Sequence, residues 1–298
     1  MAPHAARLSA IAATLICAAA SFAQTPEIPG PVPAPALAVP SITSSDLANA
    51  VTELVKLAGL QIQAKKYDEA IATLQSVFAK LTAPHDKATI WNRIANVYQL
   101  KGDFGGSMRA QQQALELWPD NAVLLTDMAL LDQVQRDDAD ARKYYEKAIA
   151  IDPNNPLALN NLAFLLVEND GDLDQALSYA RAAESKLPGF VEVHDTIGAI
   201  DLKKNLTSGA MNEFRLAIVG SPDNPVYQYH YALALYQQGD LVNALQRARY
   251  ASTKNPNADL TRKILNLVAN LIPQVDALPH PAAAAPPQRT QPPRAPVK

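Results

Sequence analysis

Two histidines, His194 and His230, stand 36 residues apart, with Asp195 beside the first. Imidazole and carboxylate are ordinary ligands of a transition metal, so the trio would form a site if the chain brought them together. Of the remaining histidines, His4 and His280 lie near the ends of the chain, leaving His85 as the third in the middle. Four tyrosines, Tyr227, Tyr229, Tyr231 and Tyr236, crowd into ten residues. Aromatic rings with a polar tip anchor protein interfaces. Gly102, Gly105 and Gly106 resemble a glycine-rich phosphate loop, but no Gly-Lys-Ser or Gly-Lys-Thr follows them. No HExxH pair and no GxSxG elbow occurs, and the single cysteine is Cys17. These residues point to binding rather than catalysis, with no cofactor and no metal.

The ends bound the compartment and the partners. Residues 1–23 pair Arg7 with an Ala-rich apolar run from Leu8 to Phe22, ending in the small-residue site Ser21-Phe22-Ala23, which reads as a secretory signal peptide. The run is too short and too interrupted for a membrane span. An uncleaved anchor or a lipoprotein modified at Cys17 is the alternative, although Ile16 stands where a lipoprotein signal wants a small residue. After cleavage the chain would hold no cysteine, and 25 basic residues would face 29 acidic ones. With no basic run to track phosphates, nucleic acid is not expected as a partner. Residues 24–45 form a Pro/Ala-rich linker and 273–298 a Pro-rich tail that carries Arg289, Arg294 and Lys298, both composed for extended, solvated backbone.

Between these arms the chain keeps time. Prolines fall at Pro119, Pro153, Pro188, Pro222 and Pro256, in steps of 34, 35, 34 and 34. Alanine precedes each by five residues (Ala114, Ala148, Ala183, Ala217, Ala251), and Ser107, Ala141, Ala176, Ala210 or Ala244 precedes each by twelve. A second small series runs Ala58, Ala95, Ala129, Ala163, Gly198, Ala232. Apolar residues such as Trp91, Ile94, Ala95 and Tyr98, or Leu159, Leu162, Ala163 and Leu166, recur at helical spacing around these points. Each period therefore holds two antiparallel helices, a polar turn such as Lys101-Gly102-Asp103, and a closing proline, with Asp120, Asp152 or Asn154 expected to cap the next helix. Small residues are needed where the paired backbones cross most closely. Gly102 falls at a turn and Gly105 and Gly106 at a helix start, which explains them without a phosphate. His194 and His230 differ by two places within the repeat, turning their side chains about 200° apart around the helix axis, so a shared metal is not expected and His194 should bond backbone at the core edge.

The spacing of Trp91, Ile94, Ala95, Tyr98, Ser107, Ala114 and Pro119, repeated by Leu125, Met128, Ala129, Ala141, Tyr145, Ala148 and Pro153, resembles the tetratricopeptide repeat (TPR) signature. Copies also begin near Val51, Leu157, Val191 and Pro225, so the resemblance covers about three quarters of the chain. Departures include His194 at a normally bulky apolar place, Gln111 where Phe214 stands in another repeat, and the missing closing proline of the first repeat. The resemblance implies an all-α fold, a right-handed superhelical solenoid of antiparallel helix pairs. It would occupy residues 46–272 with about six repeats, closed by a capping helix over Asp259–Ile272.

In that family the first helices of the repeats line a concave groove. Mapped here, the groove stripe is Asn92, Asn96 and Gln99, then Thr126, Leu130 and Gln133, then Asn160 and Phe164, then Asp195, then Tyr229, Leu233 and Tyr236. Tyr231 takes a core place, leaving Tyr229 and Tyr236 as exposed candidates. No Lys or Arg occupies the two main stripe positions, which disfavours a clamp for a terminal carboxylate and suits hydrogen bonding to a ligand backbone. The expected function is that of an exported, periplasmic adaptor that binds a peptide or helical segment of an envelope protein. The alternative is a structural spacer acting through its Pro-rich arms; an enzyme stands third. Asn205-Leu206-Thr207 matches a glycosylation sequon and is read as coincidence.

Overall fold

The computed structural model describes residues 44–278; residues 1–43 and 279–298, with the leader, nearly all of the linker and most of the tail, lie outside them. Among the described residues there are thirteen helices and no strand: α1 (Ser44–Gln63), α2 (Tyr67–Phe78), α3 (Pro84–Lys101), α4 (Phe104–Leu117), α5 (Ala122–Gln135), α6 (Asp138–Ile151), α7 (Pro156–Glu168), α8 (Leu173–Lys186), α9 (Val191–Lys203), α10 (Thr207–Gly220), α11 (Pro225–Gln238), α12 (Leu241–Ser252) and α13 (Ala258–Asp276). Each odd-numbered helix from α1 to α11 pairs with its successor, and each pair packs on the next, so α13 covers α12.

The small residues found by arithmetic sit at these contacts. Ala95, Ala129, Ala163 and Ala232 on the first helices are fully buried, as are Ala141, Ala176, Ala210, Ala244 and the alanine series Ala114 to Ala251 on the second. Gly198 is the extreme case: a Cβ built there would lie 2.6 Å from the Phe214 ring, which is itself fully buried. The small residue on α9 thus makes room for the large one on α10.

Capping divides by residue type. Four second helices start under aspartates: the side chains of Asp103, Asp137, Asp172 and Asp240 each accept from a backbone N–H in the first turn. Three first helices and α13 start under asparagines, Asn121, Asn155, Asn224 and Asn257. The expected caps Asp120, Asp152 and Asn154 are corrected by this, since the cap falls nearer the helix. Asp152 instead accepts from the Asn154 N–H at 3.0 Å and closes the preceding turn. Gly102 takes the left-handed conformation that ends α3, as placed from the sequence.

Both expected edges of the repeat region shift outward. The first helix begins at Ser44, and the last continues past Ile272 through Pro273 to Asp276. Proline removes one backbone donor, but the Gln274 side chain donates to the Asn270 carbonyl at 3.0 Å, and Val275 packs with Leu267 and Leu271. No described helix is long and apolar enough to cross a membrane.

Candidate functional site

The predicted stripe lies along α3, α5, α7, α9 and α11, the first helices of five successive repeats. The structure divides it. Thr126, Leu130, Gln133, Asn160 and Asp195 are buried, whereas Asn92, Asn96, Gln99, Phe164, Tyr229, Leu233 and Tyr236 stay partly open. Neighbouring helices enclose the buried set. The Tyr145 hydroxyl of α6 donates to Gln133 Oε1 at 2.5 Å. Asn155, at the start of α7, donates to Thr126 Oγ1 at 3.1 Å. Helix α5 is buried at every residue from Leu124 to Val134, enclosed by side chains of α3, α4, α6 and α7.

Enclosure acts on two carboxylates that the sequence reading passed over. Asp127 is buried with the Asn92 amide as hydrogen-bond donor, and burial, only partly offset by that bond, pushes its pKa from 3.8 to about 6. Asp132 is raised to about 6 by burial and by the charges of Asp137 and Asp140. The signal for Asp127 was available: it lies 35 residues from Asn92, one repeat and one place on.

The histidines do not share a site. His194 Nδ1 meets Glu213 Oε2 at 2.9 Å, and Glu213 also pairs with Arg181 at 3.0 Å. This corrects the expected backbone partner of His194: the ring projects beside α10, where a carboxylate outcompetes the satisfied helix carbonyls. His230 Nδ1 meets Asp195 Oδ1 at 2.8 Å, across α11 and α9. Burial is the largest influence on His230 and opposes its charge, but the Asp195 charge and hydrogen bond together outweigh it and raise its pKa from 6.5. Among the described residues, no three metal-ligating side chains converge.

The tyrosine cluster is also rearranged. Tyr227 is the buried member, while Tyr231 packs by Phe214 and reaches outward, with the Arg247 guanidinium 5.6 Å from its ring centre. Tyr229 packs against Ala251, Leu260 and Ile264, and Tyr236 accepts from Asn270 at 3.2 Å. Helix α13 therefore lies against both supposedly exposed rings, in the place a further repeat would fill.

What remains open is the N-terminal half of the stripe. Asn92 Oδ1, Asn96 Oδ1 and Gln99 Nε2 are enclosed and have no hydrogen-bond partner, and Asn160 Oδ1 is in the same state. An unmet buried polar atom costs about 1 to 3 kcal/mol, so a partner for these four becomes favourable once their side chains turn outward; Ser107, Gln111, Asp132 and Asn161 hold others of the same kind off the stripe. The three on α3 follow the spacing i, i+4, i+7, along one helix face.

Two segments match the family described as Tetratricopeptide repeat, residues 88–121 and 144–178. The first spans α3 and α4. No curated protein matches the chain. Many solved structures share the fold, three of which follow. The hetero-tetramer Cut9-Hcn1 of the APC/C superposes with a TM-score of 0.65 at 14% identity, over 77% of this chain and 45% of that one. This chain thus spans less than half of that structure's length. PilW, a type IV pilus biogenesis factor, gives 0.59 at 16% identity, over 72% and 98%. A protein from Parabacteroides merdae ATCC 43184 gives 0.57 at 12%, over 74% and 100%.

Proposed function

We propose that this chain, a tetratricopeptide repeat protein and so a protein-interaction scaffold, is exported and holds a peptide or helical segment of an envelope protein along the inner faces of α3 to α7. The observation that carries the reading is the row of unpartnered amide atoms on Asn92, Asn96 and Gln99. The Asn96 and Gln99 amides turn to present a donor or acceptor to a ligand backbone, and Asn92, its nitrogen held by Asp127, offers Oδ1 alone, a chemistry that needs no charge. Phe164 supplies apolar contact, and Leu233 extends the strip toward α13. Export rests on Arg7, the apolar run and Ser21-Phe22-Ala23. One structural neighbour is a type IV pilus biogenesis factor.

Site-specific photo-crosslinking in the native host tests this. A crosslinker at Phe164 should trap a protein partner that one at Leu216, on the exposed side of α10, does not. The triple variant Asn92→Leu, Asn96→Leu, Gln99→Leu should lose that product while keeping its helical circular dichroism. Equal trapping from both positions, or an unaffected triple variant, refutes the inner-face assignment.

A further inference from the structure

A slot of about 190 Å³ opens between the first two repeats, lined by Gln75, Trp91, Tyr98, Gly106, Arg109, Ala110 and Gln113. It exists because α4 begins Phe-Gly-Gly-Ser and carries Ala110, leaving the Trp91 and Tyr98 rings of α3 partly uncovered. Gly106 is required at the slot's edge, since a Cβ there would lie 2.7 Å from the Tyr98 ring. The two rings stand seven residues apart on one helix, about 10.5 Å along its axis. A polyproline II strand repeats every three residues, about 9.3 Å. Two aromatic seats at that separation, with amide groups from Gln75 and Gln113 to meet strand carbonyls, match the way Pro-x-x-Pro segments are held. Arg109 is exposed at the rim and makes no ion pair among the described residues.

We propose that this slot holds the chain's own segment Pro26-Glu27-Ile28-Pro29. The segment has the required proline spacing, and its Glu27 falls between the prolines, where Arg109 can pair with it. The C-terminal arm is the poorer fit, because its one Pro-x-x-Pro, Pro293 to Pro296, carries Arg294 between the prolines and would meet Arg109 as a like charge. Length permits the return. Gln75 lies on α2, which runs back along α1 from the point where Thr73 bonds Gln61 at 2.9 Å, about 25 Å from Ser44. Residues 24–43 reach about 60 Å as polyproline II. Docking would cover both rings and tie the segment ahead of α1 to the second repeat.

The test uses the full chain with Trp118→Phe, so that Trp91 is the only indole. Substituting Pro26→Ala, Glu27→Lys and Pro29→Ala should move Trp91 emission to longer wavelength and open it to acrylamide, with unchanged circular dichroism. A synthetic peptide of residues 24–36 should reverse both effects. Arg109→Glu should weaken that peptide about fivefold, as loss of a rim ion pair does, and should improve binding of the Glu27→Lys peptide. Unchanged emission in the arm variant together with no response to peptide overturns the proposal. So does recovery that depends on protein concentration with doubled mass, which would assign the slot to a second copy.

Discussion

Asp195 and His230 meet at 2.8 Å across two first helices, and they are 35 residues apart, the same separation as the hydrogen-bonded Asn92 and Asp127. One inter-repeat slot is thus used twice, each time for a buried polar pair. His230→Leu should cost about 3 kcal/mol, because it leaves the Asp195 carboxylate buried without its partner. The double variant Asp195→Leu, His230→Leu should recover much of that loss. A urea-denaturation cycle measures the coupling; additive effects would show that the pair is incidental.

Gly198→Ala should destabilise by about 1 to 3 kcal/mol through the clash with the Phe214 ring. Phe214→Leu in the same chain should relieve part of it. Thermal melts of the two single variants and the double variant decide: no rescue would mean that the cost arises elsewhere.

Stability should fall as pH rises from about 4 to 8. Asp127 has a folded pKa of about 6 against 3.8 unfolded, so its contribution is complete below the unfolded value and is lost as pH rises through 6. Two units amount to about 3 kcal/mol. Asp132 acts in the same sense. His230, raised from 6.5, contributes fully below that value and loses its contribution as pH climbs through its folded pKa. Asp170 and Asp223, lowered by their lysine partners, act oppositely but stand in solvent, where such pairs are weak. Melting temperatures at pH 4.5 and 8 test the slope, and Asp127→Asn should flatten it.

Intact-mass measurement on protein from the native host should find a species beginning at Gln24. Retention of Met1 or Cys17 would refute cleavage after Ala23 and leave the uncleaved anchor or the lipoprotein.

The repeat was legible because its markers are steric: Ala163 or Gly198 cannot be larger where two backbones cross, so the period is written in residue size. Pairing across repeats was not. Whether Thr126 or Gln133 faces a groove depends on how closely successive pairs close around α5, a property of the superhelix rather than of any single helix. His194 escaped for a different reason: its partner Glu213 lies on the following helix, at a place the repeat signature leaves free. The capping helix was foreseen, but not that it would take Tyr229 and Tyr236 with it.

The enclosure of α5 also sets how the array responds to force. A solenoid pulled from its ends is a spring, and its coils need not be equally stiff. The central coil has α5 gripped on all sides, whereas among the described residues the first coil has no helix ahead of α1 and the last is followed by α13 alone. Extension should therefore be taken up at the two ends, while the middle moves as a rigid block that carries tension from one arm of the chain to the other.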